Sequence, residues 1–494
     1  MRIRIVPTAS GHYAVQVVSK RLGKLTVHAH IGTFHNDREK YDLRQKAQDF
    51  IQRISGQQNL LDWLSSVRPE NIAVSQNRPL FVYRLLASGY EKLGFGACHD
   101  SVIKDLVIAR IYSPVSKRAV KEVLEEDFGK KLALKTIYRH LKTALAANLK
   151  DTFQQALIRF AGDELKDGLR LVFYDVTTLY FETAAKVGLK NFGFSKDHRP
   201  RDAQIVVGLV VNRQGFPLYL DVFSGRTFEG HTLISVVDNI RRLLGCRKLV
   251  IVADAAMLSQ KNIDQLADRQ LGFIVGARIA SLPQRLIQTL GRRLSGRDGK
   301  ITTVGYRSHR LICQYLRRRA AKDKADRNRQ IARTQKAILN SAAITSRYRF
   351  VASAGQKYSL NRSLIAKAET LEGIKGYLTN TRLPRLTVIN RYHDLWQIEN
   401  AFRITKSDLE ARPVFHRLDE TIKAHLVIVL AGLAISRYLE INTGMSIKRI
   451  LKLAGKVLTH KVTNRHTGEV GYIETTIEDP ELKEKIELLK SLGH

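Results

Sequence analysis

"LVFYDVTTLYF" occupies Leu171–Phe181. Apolar and aromatic residues lead into one acid, Asp175, and then into Thr177 and Thr178. The composition is that of a buried strand. A carboxylate without a partner is costly there, so Asp175 needs one. The grammar continues outward from this stretch. "IVVGLVV" (Ile205–Val211) reads as a second strand, "NRQG" as a turn and "FPLYLDVF" (Phe216–Phe223) as a third strand. "HTLISVVDNIRRLL" is an amphipathic helix, and "KLVIVAD" (Lys248–Asp254) is a fourth strand. "SQKNIDQLADRQ" is a helix and "FIVGAR" (Phe273–Arg278) a fifth strand. The order β-β-β-α-β-α-β predicts an α/β fold with a mixed sheet. Short turns make the first three strands antiparallel, and helical crossovers make the later ones parallel. A right-handed crossover places strand four beside strand one. The acids Asp175 and Asp254 then stand at neighbouring strand ends.

A single Asp in such a place is more often a helix cap than a ligand. Two in this fold order favour a divalent cation, which takes oxygen ligands. A third acid is offered by "NRYHDLWQIENAFRITKSDLEARPVFH". At 3.6 residues per turn, Tyr392, Glu399 and Lys406 fall on one stripe, with Trp396 and Arg403 between them. Leu395, Ile398, Phe402 and Leu409 form the adjacent apolar stripe, which anchors the helix on the sheet. The alternative is a wet helix whose Glu399 and Arg403 pair at i, i+4; it leaves Tyr392 and Trp396 unexplained. Three carboxylates with two metal ions suit phosphoryl transfer on a nucleic acid. Arg403 and Lys406 suit phosphates, and Trp396 suits stacking on an unpaired base.

Composition agrees. Lys and Arg number 82 against 46 acids, a formal net charge of +36. An excess of that size attracts polyanions, nucleic acid first. Cys98, Cys246 and Cys313 are widely spaced and make a poor disulfide framework, as expected in a reducing cytosol. "MRIRIVPTAS" has no apolar secretion core. "LVIVLAGLAI" (Leu426–Ile435) is half a membrane span and reads as a core helix.

The chain divides by pattern into a β-hairpin plus helix unit (1–70) and a helical region (71–165). A core follows in two parts (166–278 and 371–445), separated by an insertion (279–370) and followed by a helical tail (446–494). Within the helical region, two amphipathic stretches flank Gly129. They read as a helical hairpin or as a helix-turn-helix presenting Lys135, Tyr138, Arg139 and Lys142.

At this point the sequence resembles the DDE transposases of bacterial insertion sequences. The specific likeness is to the group with a Tyr-x(2)-Arg-x(3)-Glu-x(6)-Lys signature helix. The positions here are Tyr392, Leu395, Glu399 and Lys406. Leu395 stands in place of Arg, as in the branch reading "YxxLWQIExAFR". "YDVTTLYF" and "VADAAMLSQKNI" are similar to the family's two Asp segments, and "GFSKDHRPRDAQ" to its basic loop. The resemblance covers about Leu169 to His425. It implies a ribonuclease H-like mixed-sheet catalytic core with a β-rich insertion, preceded by a mainly helical DNA-binding region. It also implies Asp175, Asp254 and Glu399 as ligands of Mg²⁺ (two ions, or Mn²⁺). The implied activity is cut-and-paste movement of a DNA element. The implied partners are double-stranded DNA, as terminal inverted repeats and target, and a second copy of the chain in a paired-end complex. The implied location is the cytoplasm of a bacterium or archaeon, at the nucleoid. Lys196, Arg199 and Arg201 of the basic loop join Lys135, Arg139, Tyr392, Trp396, Arg403 and Lys406 as expected DNA contacts.

Other features weigh less. His198 and His231 are more simply structural than ligands. Gly94 and Gly96 lack the rest of a phosphate loop. Glu229 reads as a cap or a group behind the site. Two other functions stay open: a DNA-binding protein without catalysis, and a nuclease that cuts without joining.

Overall fold

The structure is a computed structural model. It describes the 494-residue chain except residues 1, 9–11, 22–23, 35–38, 41–42, 45, 48–71, 164–170, 184, 198, 200, 246–248, 256–258, 295, 341–347, 355–356, 466–469 and 494. His198, Cys246 and most of the helical part of the 1–70 unit lie outside the described residues. The chain forms two compact units. One is Met1–Phe81 with Leu453–Ile486, and the other is Val82–Lys452 with Glu487–His494.

The smaller unit begins with an antiparallel sheet of β1 (Arg2–Pro7), β2 (Tyr13–Arg21) and β3 (Lys24–Phe34). Val15 and Val17 are buried with Ala47, and Ile3, Ala29, Ile31, Phe34 and Leu43 pack against them. Its second sheet joins β4 (Ile72–Arg78) to β15 (Thr459–Asn464) and β16 (Val470–Glu474). The tail read as helical over 446–494 has helices at Ile447–Ala454 and Pro480–Leu492, with the two strands between them. "THKVTN" holds three β-branched residues, Thr459, Val462 and Thr463, which favour a strand, and finds its partner in β4.

The larger unit opens with five helices: α1 (Leu80–Lys92), α2 (Ser101–Tyr112), α3 (Lys117–Glu126), α4 (Leu134–Ala146) and α5 (Leu149–Asp163). Asp100 caps α2 by accepting from the amides of Val102 and Ile103. Gly129, at φ 71°, turns the chain between α3 and α4.

An eight-stranded mixed sheet follows, in the order β10-β11-β14-β9-β8-β5-β6-β7. The predicted strands are β5 (Leu171–Tyr180), β6 (Gln204–Val211), β7 (Pro217–Ser224), β8 (Val250–Ala253) and β9 (Gly272–Ala277). Helices α6 (Leu233–Leu244) and α7 (Gln260–Asp268) make the crossovers. The β6–β7 turn forms as expected. The Asn212 side chain accepts from the amides of Gln214 and Phe216, and Gly215 takes φ 75°. The β5–β6 connection is not the short turn expected: it runs from 181 to 203, yet the strands still pair antiparallel. Strand β8 pairs parallel with β5, Tyr174 opposite Ala253. Asp175 and Asp254 each follow that matched pair by one residue, so their side-by-side placement is realised.

The segment 279–370 is corrected from β-rich to mostly helical. It contains α8 (Gln284–Leu294), α9 (Arg317–Leu339) and α10 (Arg362–Leu371). The run "RRRAAKDKADRNRQIARTQKAIL" has no Gly or Pro and many strong helix formers, hence the 23-residue α9. Strands β10 (Ile301–Tyr306) and β11 (His309–Tyr315) extend the main sheet through β14 (Ile374–Thr379). Only β12 (Val351–Ala354) and β13 (Lys357–Leu360) form a separate hairpin.

The late helix is also corrected. It is α11 (Arg385–His393), then α12 (Trp396–Arg403), then a π-helical turn, Ile404–Asp408. The stripe Leu395, Ile398, Phe402 and Leu409 is buried as expected. The apolar run Leu426–Ile435 belongs to a longer helix, α13 (Asp419–Thr443). That helix is long and apolar enough to span a membrane, but 89% of its apolar window is buried inside the protein. It serves as a core helix, packed on α2 and β7.

Candidate active site

Asp175, Asp254 and Glu399 line one pocket of about 600 Å³ with Lys196, Lys375, Tyr392 and Trp396. Three distant parts of the sequence, on β5, after β8 and on α12, thus converge as the sequence predicts.

The partner of Asp175 is Lys196, whose Nζ lies 3.8 Å from Asp175 Oδ1 and 3.2 Å from Glu229 Oε1. The same ammonium donates to the Val176 carbonyl at 2.6 Å, and the Lys196 amide donates to Thr178 Oγ1 at 3.1 Å. The "DVTT" of the strand therefore fastens the basic loop over its own acid. Lys196 was expected on DNA; here it is an internal counter-ion to two carboxylates. Burial pushes the Asp175 carboxyl up to about 6, against the lowering influence of Lys196.

Asp254 accepts a hydrogen bond from the Tyr392 hydroxyl at 2.9 Å and from the Ala255 amide at 2.7 Å. Tyr392 was expected to contact DNA. Instead it is 9% exposed, stacked edge-on against Tyr377 at 5.1 Å, and spent on positioning Asp254. Its ring meets β9 where Gly276 leaves room. A Cβ there would stand 2.5 Å from the Tyr392 hydroxyl oxygen and 3.3 Å from Ala255. Gly276→Ala should thus force Tyr392 off Asp254 and lower the activity of this site about tenfold, the size of a lost charge-assisted hydrogen bond. The matching measurement is a single-turnover rate beside Tyr392→Phe. Equal losses are expected, and an unimpaired Gly276→Ala would sink the positioning role.

Glu399 is exposed to the pocket, and Trp396, 54% exposed, stands on the same helix. Leu395, in the signature's Arg position, is 9% exposed and belongs to the core. The other expected contacts divide. Lys406 sits on the π-turn, off the Glu399 stripe, and pairs with Asp197 at 3.2 Å, beside Arg412. Burial raises the Asp197 carboxyl, but Arg412 and Lys406 outweigh it and hold it below the usual range. Arg403 pairs with Asp408 at 3.2 Å. Both cations are engaged within the fold, Lys406 largely buried and Arg403 with about half its side chain exposed. Arg199 lies over the Tyr180 ring at 4.2 Å and 3.4 Å from Asp202, while Arg201, Lys135 and Arg139 are exposed.

The sequence reading missed Lys375, which comes from β14 and stands over the Tyr392 ring at 4.8 Å. Only its place in "IKGYLT", the strand before the signature helix, could have signalled it. Glu229, read as a cap or as a group behind the site, takes the second place: its side chain holds Lys196.

The oxygen-only donor set of Asp175, Asp254 and Glu399 fits a hard divalent cation. Among the described residues, however, no three His, Cys, Asp or Glu side chains stand close enough together to grip one ion. The set is right in chemistry and open in spacing, with the Lys196 ammonium partly neutralising it.

A mixed sheet thus delivers two aspartates and a late helix a glutamate to one cleft of an α/β protein, with Lys196 and Lys375 beside them. The chain belongs to the family described as "Transposase DDE domain", which matches residues 167–435, more than half of the 494. The solved structures include a similar one, a piggyBac transposase synaptic complex with hairpin DNA. It shares 9% identity over 74% of this chain and 70% of that one, at a TM-score of 0.41. No curated protein matches.

Proposed function

We propose that this chain is the transposase of a bacterial insertion sequence. It cuts DNA at the element's ends and joins the freed strands to a target, acting as a pair of copies on two ends in the cytoplasm. The observation that carries the reading is the meeting of Asp175, Asp254 and Glu399 in one pocket, in a chain of the transposase DDE domain family. The core is read as ribonuclease H-like from the β5–β9 order with parallel β5 and β8. Asp175, Asp254 and Glu399 would hold Mg²⁺ or Mn²⁺, which when bound supplies Lewis-acid stabilisation of the displaced oxygen and an activated attacking oxygen. Tyr392 fixes Asp254. Lys196 keeps Asp175 compensated and tethers the basic loop at the pocket's edge. Trp396 offers an exposed ring to a base displaced from the duplex. Exposed Lys135 and Arg139 on α4 and Arg201 on the basic loop supply backbone contacts to the duplex.

Product analysis tests the reading. The protein is incubated with Mg²⁺, labelled DNA carrying its own element's ends and a target plasmid. Joined products are expected. Cut ends that never join would replace the proposal with a nuclease, and tight end-specific binding without cutting would replace it with a DNA-binding protein.

A further inference from the structure

Helix α13 buries every residue from Leu426 to Leu439, and Arg437 is the one charged side chain in that run. Its Nη1 donates to Glu440 Oε2 at 2.7 Å, and the two side chains are only 10% and 9% exposed. Apolar side chains of the same volume would hold a core helix at least as well as a buried ion pair does. The pair is better explained by what else it reaches. Glu440 Oε1 accepts from the Ile447 amide at 3.0 Å, which fixes the carboxylate and with it the guanidinium. Arg437 Nη2, so held, donates to the Gln214 carbonyl at 2.6 Å and, at 3.4 Å, to Gln397 Oε1.

Those two acceptors belong to separate elements. Gln214 is in the β6–β7 turn, and Gln397 is on α12, two residues before Glu399. At 3.6 residues per turn, Gln397 and Glu399 leave α12 on opposite sides, one toward the turn and the other into the carboxylate pocket. The contact behind the helix is close. A Cβ on Gly215 would stand 2.7 Å from Gln397 Oε1 and 3.1 Å from Arg437 Nη2, so the glycine serves both the turn, at φ 75°, and this approach. Helix α12 needs such a hold. It has eight residues, between the end of α11 at Asp394 and the π-helical turn, too few to be stable alone. Its apolar stripe keeps it on the core, but apolar contact is not directional. A hydrogen bond from a fixed guanidinium is.

We propose that Arg437 is a positioning residue: by gripping Gln397 against the β6–β7 turn it sets the rotation of α12, and so the place of Glu399 in the carboxylate pocket. Arg437 never meets the reacting atoms and acts only through the helix that carries the acid. That Glu399 holds a cation rests on the transposase reading; the clamp around Arg437 does not.

The test reads the helix and the site separately. Trp396 stands on α12 beside Gln397, and the chain has 2 tryptophans, so Trp63→Phe makes Trp396 the sole reporter. In that background, acrylamide quenching of Trp396 reports the pose of α12, and calorimetry with Mn²⁺ reports the carboxylates. The variants are Gln397→Leu, Gln397→Glu and the double variant Arg437→Met/Glu440→Gln, which leaves no buried charge unpaired. Leu439→Ala, a cavity in the same buried helix, is the control for lost stability alone. Gln397→Leu and the double variant should shift the quenching and weaken Mn²⁺ binding about tenfold, the low end of what supporting groups of a metal site contribute. Gln397→Glu keeps an oxygen for the guanidinium and should match the parent in both. Leu439→Ala should lower the thermal melt and move neither. Quenching and Mn²⁺ affinity unchanged in Gln397→Leu and the double variant, or moved equally by Leu439→Ala, would overturn the positioning role. A parent protein that ignores Mn²⁺ while the quenching still shifts would sink Glu399 as a metal ligand and leave the clamp on α12 standing.

Discussion

Asp175→Asn should make the metal-free protein more stable above pH 6 and leave it unchanged near pH 4. In the folded chain burial lifts the Asp175 carboxyl from 3.8 to about 6, with Lys196 only partly offsetting it. The folded state therefore keeps a proton that the unfolded chain has already lost. Stability falls as pH rises between these values and is flat above them, because the native state binds more protons over that window. Two units convert to about 3 kcal/mol. The carboxylate retains 24% of its side-chain exposure, so roughly 2 kcal/mol is the reasonable expectation after solvent screening. The amide carries no charge to desolvate, so the variant should lose the slope altogether. Urea melts in EDTA at pH 4, 5, 6, 7 and 8 read it directly. A wild-type curve without that fall, or a variant curve with it, would contradict the assignment. The same substitution should remove DNA cleavage, so stability gained and activity lost would mark a carboxylate kept for chemistry.

Lys196→Met should do the opposite to stability. It removes a cation that lies within 4 Å of both Asp175 and Glu229 and leaves two carboxylates facing each other. Breaking a buried pair costs about 3–5 kcal/mol; Lys196 is 30% exposed, which brings the expectation to about 2 kcal/mol at pH 8. Adding Glu229→Gln should recover much of that loss, a coupling that a double-mutant cycle isolates. Mn²⁺ should bind Lys196→Met more tightly by calorimetry, several-fold, since the ion no longer competes with a resident ammonium. A Lys196→Met protein as stable as wild type, with the same Mn²⁺ affinity, would return Lys196 to the role of a loop cation awaiting DNA.

Much of this site was legible in the chain because strand order constrains so tightly. Once β5 and β8 are recognised, the handedness of crossovers makes them neighbours, and Asp175 and Asp254 must meet. Burial periodicity likewise gave the core face of α12, since Leu395, Ile398 and Phe402 recur at helical spacing. What the sequence could not show is where long cations go. Lys196, Arg403 and Lys406 read as free phosphate ligands because their acids, Asp175 with Glu229, Asp408 and Asp197, are chosen by tertiary contact and by the π-turn at Ile404–Asp408. The same limit hid Lys375, which acquires its place only when β14 is laid against β9. The segment between β9 and β14 was misread in balance, not in parts: its charged run was helical in propensity, and its strands joined the main sheet instead of forming a sheet of their own.

The central claim is that Asp175, Asp254 and Glu399 act together on DNA. The most direct measurement is cleavage of DNA carrying the element's own ends, with and without Mg²⁺, by wild type, Asp175→Asn, Asp254→Asn and Glu399→Gln, with folding checked by thermal melts. Cutting at the ends that requires Mg²⁺ and falls at least about 10³-fold in each variant, roughly 4 kcal/mol of barrier, is the predicted result. Undiminished cutting by Glu399→Gln, or cutting that persists without a divalent cation, would contradict it.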